Sequence, residues 1–382
     1  MTAYLDPRTG ETWPLDEPRW CAPDGGPLLL TPLPGIGRDA IDIGSRSLWR
    51  YRAALPFSPA EPVSLGEGCT PLLRRRFGEA EALLKCEWFA PTGSFKDRGA
   101  SVMLSLLRAQ GVGHVLEDSS GNGGAAVAAY AAAGRMRATI MAPAGTSPAK
   151  TLQMRAHGAD LELIPGTRQD TADAAMARGK AGAGGIFYAS HNWHPFFLHG
   201  TKTIAYELWE DLGFRAPDNV VTPCGAGSIV LGCEIGFAEL QRVGAIETLP
   251  RLFAVQPAAC GPIAAAFLAG NGDPEPVDIR PTIAEGTAIA RPVRLREVVG
   301  ALQATEGGAV LLQEDEIAAA TLTLARAGLY VEPTCAQALA AWQRLLASGA
   351  IAPEQTTVLV LTGTGLKAAP VIERLLAEAG TR

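Results

Sequence analysis

The sequence predicts an α/β protein in which parallel β-sheets are covered by helices. From about residue 80 onward, short β-rich runs alternate with Ala- and Leu-rich helical runs, and such alternation is typical of parallel sheets with helices on both faces. The chain of 382 residues is long enough for two domains, each with its own core. Its 43 glycines and 28 prolines supply turns for many short connections.

The individual elements follow from the apolar pattern between turn residues. Strands are predicted at residues 82–87, 114–118, 138–142, 160–165, 185–189, 219–223, 252–256, 309–313, 329–332 and 356–362. Helices are predicted at residues 100–110, 121–133, 147–157, 200–212, 314–327 and 334–347. Ser147 and Pro148 suit the N-cap and the first helical position of the third helix.

Composition excludes several functional classes. Hydrophobic residues make up 47% of the chain, charged residues 19%, and the net charge is −6, so nucleic-acid binding through a basic face is disfavoured. The seven cysteines show no Cys-x-x-Cys spacing, which favours reduced thiols in a cytoplasmic protein over disulfides or structural zinc. We expect neither a secretory signal nor a membrane span, since no apolar segment is long enough.

The most informative stretch is Ala-Pro-Thr-Gly-Ser-Phe-Lys-Asp-Arg-Gly-Ala, residues 90–100. It places Lys96 between turn residues and a predicted helix. The positive end of a helix dipole disfavours a plain ammonium group, so the position suits a lysine that works as a neutral imine. The alternative is an ordinary solvated helix start.

This stretch resembles the cofactor-lysine segment of fold type II pyridoxal-phosphate (PLP) enzymes, the tryptophan synthase β type, and among them the threonine synthase family. Supporting matches lie at residues 65–72, 199–207 and 332–336, and the resemblance covers roughly residues 47–370. It implies a cofactor in the cleft between two domains. The expected boundaries are an arm over 1–50, a larger domain over 51–96 and 204–382, and a smaller one over 97–203.

The resemblance also implies roles for particular residues. Lys96 would hold PLP and, when released, remove the substrate Cα proton. Residues 222–229 follow a predicted strand, and glycines there let backbone N–H groups approach a phosphate; a tight strand–helix connection is the alternative. The implied phosphate cup consists of Gly225, Ala226, Gly227 and Ser228.

Two further segments complete the implied site. Asn122 would lie beside the cofactor 3′-oxygen and Thr362 at its pyridine nitrogen. The substrate carboxylate would be bound by Ser119, Ser120, Gly121 and Gly123, although capping of the following helix is an alternative for this segment.

The sequence departs from the family pattern at three positions. Gly123 replaces a threonine, Thr364 a histidine, and Phe197 stands where the family often has an arginine. An aromatic ring cannot pair with a phosphate. Other basic candidates are His191, His194, His199, Arg155, Arg168 and Lys202, the histidines also being possible proton carriers.

No metal is expected. His191 and His194 have a possible metal-ligand spacing but no third ligand in register. The segment around Cys21 resembles a zinc knuckle of some threonine synthase relatives, but Asp24 stands where a second cysteine would be, so the arm is expected to be metal-free.

The resemblance therefore implies a PLP-dependent lyase of the threonine synthase kind. Its reaction would be γ-elimination of phosphate from O-phosphohomoserine followed by addition of water, giving threonine. One alternative is a β-eliminating ammonia-lyase or β-replacement enzyme acting on another small amino acid. Another is a catalytically idle PLP-binding protein, against which the intact Lys96 argues. A cytoplasmic homodimer with a small amino-acid substrate and no nucleic-acid or membrane partner is expected.

Overall fold

A computed structural model describes residues 2–146, 148–270 and 272–380, and the chain divides into two compact units. The first unit comprises the residues up to Gly68, Ala90–Thr92 and Lys96–Thr201. The second comprises Cys69–Phe89, Gly93–Phe95 and the residues from Lys202 onward. The predicted cap Ser147 lies outside the described residues.

The strands and helices follow one another along the chain with few long connections. The strands are β1 (Tyr4–Leu5), β2 (Thr12–Trp13), β3 (Leu29–Leu30), β4 (Leu72–Phe77), β5 (Ala80–Cys86), β6 (His114–Glu117), β7 (Arg137–Pro143), β8 (Asp160–Ile164), β9 (Phe187–Tyr188), β10 (Asn219–Pro223), β11 (Arg251–Pro257), β12 (Gly308–Leu312) and β13 (Thr357–Leu361). The α-helices are α1 (Lys96–Ala109), α2 (Asn122–Ala133), α3 (Pro148–Ala156), α4 (Arg168–Ala181), α5 (Pro195–Thr201), α6 (Thr203–Asp211), α7 (Ser228–Arg242), α8 (Pro262–Ala269), α9 (Leu295–Ala304), α10 (Glu314–Arg326), α11 (Pro333–Ala347) and α12 (Ala369–Gly380).

The first unit is built on a four-stranded parallel sheet in the order β8-β7-β6-β9. Its core joins the apolar face of α1 to the alanine-rich α2 and to Phe196 and Phe197 of α5. A small antiparallel sheet, in the order β2-β1-β3, lies within the predicted arm. The sequence did not indicate these strands, because two-residue strands carry no alternating pattern.

The second unit contains a six-stranded sheet in the order β12-β11-β10-β13-β5-β4. All neighbours are parallel except β4, which runs antiparallel to β5. Every residue of β10 and β13 is buried, as expected for central strands covered on both faces. In β4 the exposed arginines at positions 74–76 protect the sheet edge from pairing with another chain.

The predicted α/β class with parallel sheets is confirmed, with differences in detail. Residues 329–332 form no strand but a single bridge between Val331 and Thr364. The helix predicted at 200–212 is two helices, α5 and α6. Among the residues that the model describes, no helix is both long and apolar enough to span a membrane.

Candidate active site

Lys96 is the first residue of α1, four residues before the predicted helix start. The preceding turn is held by Asp97, whose carboxylate accepts hydrogen bonds from the backbone N–H of Thr92 at 2.7 Å and from the Thr92 hydroxyl. Asp97 also places negative charge in the first turn of the helix, where the dipole favours it. The backbone around Lys96 is therefore fixed before any ligand binds.

Phe197 forms the wall beside Lys96. The Lys96 Nζ lies 5.5 Å from the centre of the Phe197 ring. The ring packs against α1 at Gly99, where an added Cβ would lie 2.4 Å from a ring carbon. The arginine of the family pattern is thus replaced by a fully buried aromatic ring that supplies no charge for a phosphate.

The connection from β6 to α2 contains Ser119, Ser120 and Gly121, and Asn122 is the first residue of α2. The Ser119 side chain is buried, and its Oγ is 3.4 Å from the Gly121 backbone nitrogen. Among the described residues no side chain caps the N-terminus of α2, and the helix dipole favours an anion such as a carboxylate at this end. This geometry fits the predicted carboxylate-binding segment.

Gly123 has no room for the threonine that the family pattern carries. A Cβ there would lie 2.7 Å from Nδ1 and 2.8 Å from Cε1 of His191. The imidazole of His191 thus takes the space that a side chain at position 123 would need.

His191 is anchored by Glu117, a residue that the sequence analysis did not identify. Parallel pairing of β6 with β9 brings the residues after the two strands together. Glu117 Oε1 lies 2.9 Å from His191 Nδ1, and Oε2 accepts the His191 backbone N–H at 3.0 Å. A glutamate at the end of an apolar strand, directly before Asp118 and Ser119, is the sequence signal that could have indicated it.

Burial dominates the electrostatics of this cluster. It raises the pKa of Glu117 to about 7 and raises the pKa of Asp118, whose carboxylate accepts a hydrogen bond from Tyr188 at 2.9 Å. Burial, and then the charge of Lys96, hold the pKa of His191 well below its usual range. His191 is therefore neutral near pH 7 and lies beside carboxyl groups.

Among the other basic candidates, the charge of Arg168 reaches the cluster, where it counteracts the burial that raises the pKa of Asp118 and adds to the burial that lowers the pKa of His191, while the rest have other surroundings. His194 and His199 are buried against Phe196, in the aromatic core of the first unit. Arg155 and Arg168 are exposed. Lys202, in the second unit, is paired with the buried Glu239 at 2.7 Å. Within the described parts of the chain, no three His, Cys, Asp or Glu side chains form a group that could hold a metal.

The predicted phosphate loop lies in the second unit between β10 and α7. Gly227 has φ +88°, and a Cβ there would lie 2.1 Å from Val298, so only glycine fits. A Cβ at Gly225 would lie 3.1 Å from the carbonyl oxygen of Gly286. Ser228 is the first residue of α7, and no side chain caps this helix. The loop thus places the positive N-terminal end of a long helix at any ligand bound there.

Thr362 follows β13 and is buried, and its carbonyl oxygen accepts the Phe95 N–H at 3.0 Å. Its hydroxyl lies 3.4 Å from the thiol of Cys335, a second candidate at this point that the sequence analysis did not select. The Cys335 sulfur also accepts the Gly363 N–H at 2.9 Å. Thr364, in place of the family's histidine, accepts the Leu366 N–H at 3.3 Å and so caps a short turn.

The residues of each unit fit PLP. The Ser94 hydroxyl is completely buried and has no hydrogen-bond partner among the described residues, although Ser94 is only two positions before Lys96. The loop at 224–227 offers backbone N–H groups and little side-chain bulk, as a phosphate requires. The side chains of Thr362 and Cys335 contact each other and the backbone of Gly363, so a pyridine nitrogen there would meet neutral groups.

Comparison with known proteins agrees with this geometry. Residues 63–363 match the model of the pyridoxal-phosphate dependent enzyme family. The chain belongs to this family, and it is a PLP-dependent lyase of fold type II.

The chain is similar to particular members of the family. Threonine synthase of Methanocaldococcus jannaschii is 34% identical over 84% of this chain and 80% of its own length. Threonine synthase of Mycobacterium tuberculosis is 33% identical over 83% of this chain and 87% of its own length. Among solved structures, an L-serine ammonia-lyase from Rhizomucor miehei matches 83% of this chain and 99% of its own with a TM-score of 0.70 and 22% identity. Maize serine racemase matches 82% of this chain and 93% of its own with a TM-score of 0.67 and 21% identity. At such identities the two structures show the fold alone.

Proposed function

We propose that this protein is a PLP-dependent lyase that removes the Cα proton of a small unphosphorylated L-amino acid and expels a polar group from its side chain. When bound, PLP supplies the electron sink that makes the Cα–H bond breakable. Lys96 would hold the cofactor and then, as a free amine, take the Cα proton.

Other residues would bind and orient. The cofactor phosphate would be bound by Gly225, Ala226, Gly227 and Ser228. Asn122 would contact the cofactor 3′-oxygen, and Thr362 would contact its pyridine nitrogen. Ser119, Ser120, Gly121 and Gly123 would bind the substrate carboxylate through backbone N–H groups and hydroxyls. A neutral hydroxyl does not stabilise a protonated pyridine as a carboxylate would, which favours elimination over transamination.

One observation carries the choice of an unphosphorylated substrate. The uncharged ring of Phe197 lies beside Lys96. The neutral His191 packs against the same ring and is hydrogen-bonded to the carboxyl group of Glu117. Hydrogen bonds to a charged group contribute roughly 1.5–3 kcal/mol each. The ring of Phe197 and the carboxyl group of Glu117 offer a dianionic phosphate no cationic partner.

A second candidate is the threonine synthase reaction on O-phosphohomoserine. It is favoured by 34% identity to a threonine synthase over 84% of this chain and by the Pro-Thr-Gly-Ser-Phe-Lys-Asp-Arg-Gly run at 91–99. It requires a phosphate-binding cation outside the Glu117–His191 cluster.

Turnover of a substrate panel separates the two candidates. PLP-loaded enzyme would be given L-serine, L-threonine, L-homoserine, O-acetyl-L-homoserine and O-phospho-L-homoserine, with oxo acid, free phosphate and threonine measured and the Lys96→Ala variant as blank. We expect kcat/KM at least tenfold higher for an unphosphorylated compound. Threonine formation from O-phospho-L-homoserine as the fastest reaction would establish the second candidate instead.

We also propose a cytoplasmic homodimer. None of the seven cysteines, which all lie within the described residues, forms a disulfide, and this supports a reducing compartment. Light scattering on the purified protein should give twice the chain mass of 39.9 kDa, and a mass of one chain would contradict the dimer.

A further inference from the structure

The packing of His191 against position 123 accompanies one of this chain's departures from the family pattern. Where that pattern has a threonine hydroxyl, the chain has Gly123, and the His191 ring occupies the space within 2.7–2.8 Å of where its Cβ would be. The same hypothetical Cβ would lie 3.0 Å from the Ser119 Oγ. Position 123 thus carries no polar side chain in the first turn of α2, and the His191 imidazole, from the segment after β9, lies beside it.

The His191 ring is held in one orientation. Its Nδ1 is 2.9 Å from Glu117 Oε1, while the other carboxylate oxygen binds the His191 backbone N–H at 3.0 Å. Glu117 Oε1 also accepts the Asp118 N–H at 3.1 Å. With the carboxylate fixed by backbone donors, Nδ1 is committed to Glu117. Nε2 has no hydrogen-bond partner among the residues that the structure describes.

His191 and Lys96 share one aromatic wall. The Phe197 ring centre is 5.7 Å from the His191 ring centre and 5.5 Å from Lys96 Nζ. Besides burial, the charge of Lys96 lowers the pKa of His191, so the two side chains are near enough to interact. We therefore expect a molecule whose Cα is within reach of the lysine amine to have the imidazole near its side chain.

We infer that His191, oriented by Glu117, is a specificity-determining residue whose Nε2 hydrogen-bonds a neutral polar group, such as a hydroxyl, on the substrate side chain. This inference rests on the proposed function. It assigns to His191 the polar contact that the family's threonine would make, and it makes the Glu117 carboxylate a positioning group. An imidazole fixed in this way forms a hydrogen bond with a hydroxyl group. An apolar side chain forms no hydrogen bond with it and leaves the imidazole nitrogen unpaired.

Ligand binding to the PLP-loaded enzyme tests the contact. L-homoserine and L-norvaline have side chains of similar length, but only the first carries a hydroxyl. Titration followed by the visible absorbance of the cofactor should give at least tenfold tighter binding of L-homoserine. The His191→Ala variant should lose this preference, and the double variant Gly123→Thr, His191→Ala should regain part of it through the new hydroxyl.

A stability cycle on the cofactor-free protein tests the placement without any substrate. Gly123→Ala should lower the Tm when His191 is present and raise it in the His191→Ala background, since the cavity then accepts the methyl group. His114→Asn, at the opposite end of β6, is the matched histidine control and should change neither the preference nor the cycle.

The outcomes are distinct. Equal binding of the two amino acids by the wild type, or an unchanged preference in His191→Ala, overturns the inference and leaves the proposed function standing. No absorbance change with any amino acid of the substrate panel overturns the proposed function together with the contact that rests on it. Additive Tm changes in the cycle overturn the placement of His191 itself.

Discussion

Replacing Gly200 by alanine should destabilise the first unit, because α5 crosses α1 at this glycine. A Cβ at position 200 would lie 2.1 Å from the carbonyl oxygen of Arg98 and 2.6 Å from the Cα of Gly99. These are backbone atoms that cannot rotate aside, so the two helices would have to move apart. Since α1 begins with Lys96, such a movement would also displace the lysine that we propose to hold the cofactor.

The magnitude follows from two opposing effects. Overpacking of a well-packed core costs about 1–3 kcal/mol, and rigid backbone contacts belong at the upper end. Alanine in place of glycine in a helix gains roughly 0.5–1 kcal/mol. The net loss should be about 2 kcal/mol, which changes the folding equilibrium about thirtyfold.

Urea denaturation measures this loss, and Gly300→Ala is the matched control. Gly300 is exposed in the middle of α9, and a Cβ there would meet nothing within 4 Å. The control should therefore gain roughly 0.5–1 kcal/mol, while Gly200→Ala loses stability and binds PLP less completely. A Gly200→Ala variant as stable as the wild type would refute the close crossing of α1 and α5.

Three further predictions concern Lys96, Glu117 and the cysteines. Borohydride should fix PLP on Lys96, as peptide mapping would show, and Lys96→Ala should have no turnover; a label on another lysine would contradict the assignment. Burial places the pKa of Glu117 at about 7 rather than 4.5, so between these values the folded protein keeps a proton that the unfolded chain has lost. The contribution of Glu117 to stability should therefore fall by about 3 kcal/mol as the pH rises from about 4.5 to about 7, while His191, whose pKa is lowered, acts in the opposite direction. Denaturation of the wild type and of Glu117→Gln should differ by this fall; the same pH dependence in both proteins would argue against a buried carboxyl. Iodoacetamide at about pH 8, near the usual thiol pKa, should modify the exposed Cys69 first and spare Cys335 and Cys224, whose pKa values are raised by burial, whereas early modification of Cys335 seen by mass spectrometry would contradict its burial.

Much of the fold was predictable because it depends on local patterns. The strand predicted at 219–223 was found with the same bounds, and the helix predicted at 314–327 differs by one residue. Continuous apolar runs identify buried parallel strands without further information. The missed helix α4 has charged residues spread along it and few buried positions, so no apolar stripe marks it.

The candidate site likewise contains residues that local motifs could indicate and residues that only the fold brings together. Short motifs of neighbouring residues were enough to select several candidate residues. These are Lys96, the glycines at 225 and 227 and the serines before α2. The sequence shows that position 197 is an uncharged phenylalanine. It does not show that this ring packs against Gly99 and lies beside Lys96.

The cofactor family and the α/β class could be inferred before any coordinates, because each depends on residues close together in the chain, and the same kind of motif led to the prediction that Lys96 holds the cofactor. Which side chains meet across the sheet depends instead on how the strands pair. The parallel pairing of β6 with β9 brings His191 to Glu117, and it explains why position 123 must be glycine. The contact of Cys335 with Thr362 arises in the same way, from chain segments that are distant in sequence and adjacent only after folding.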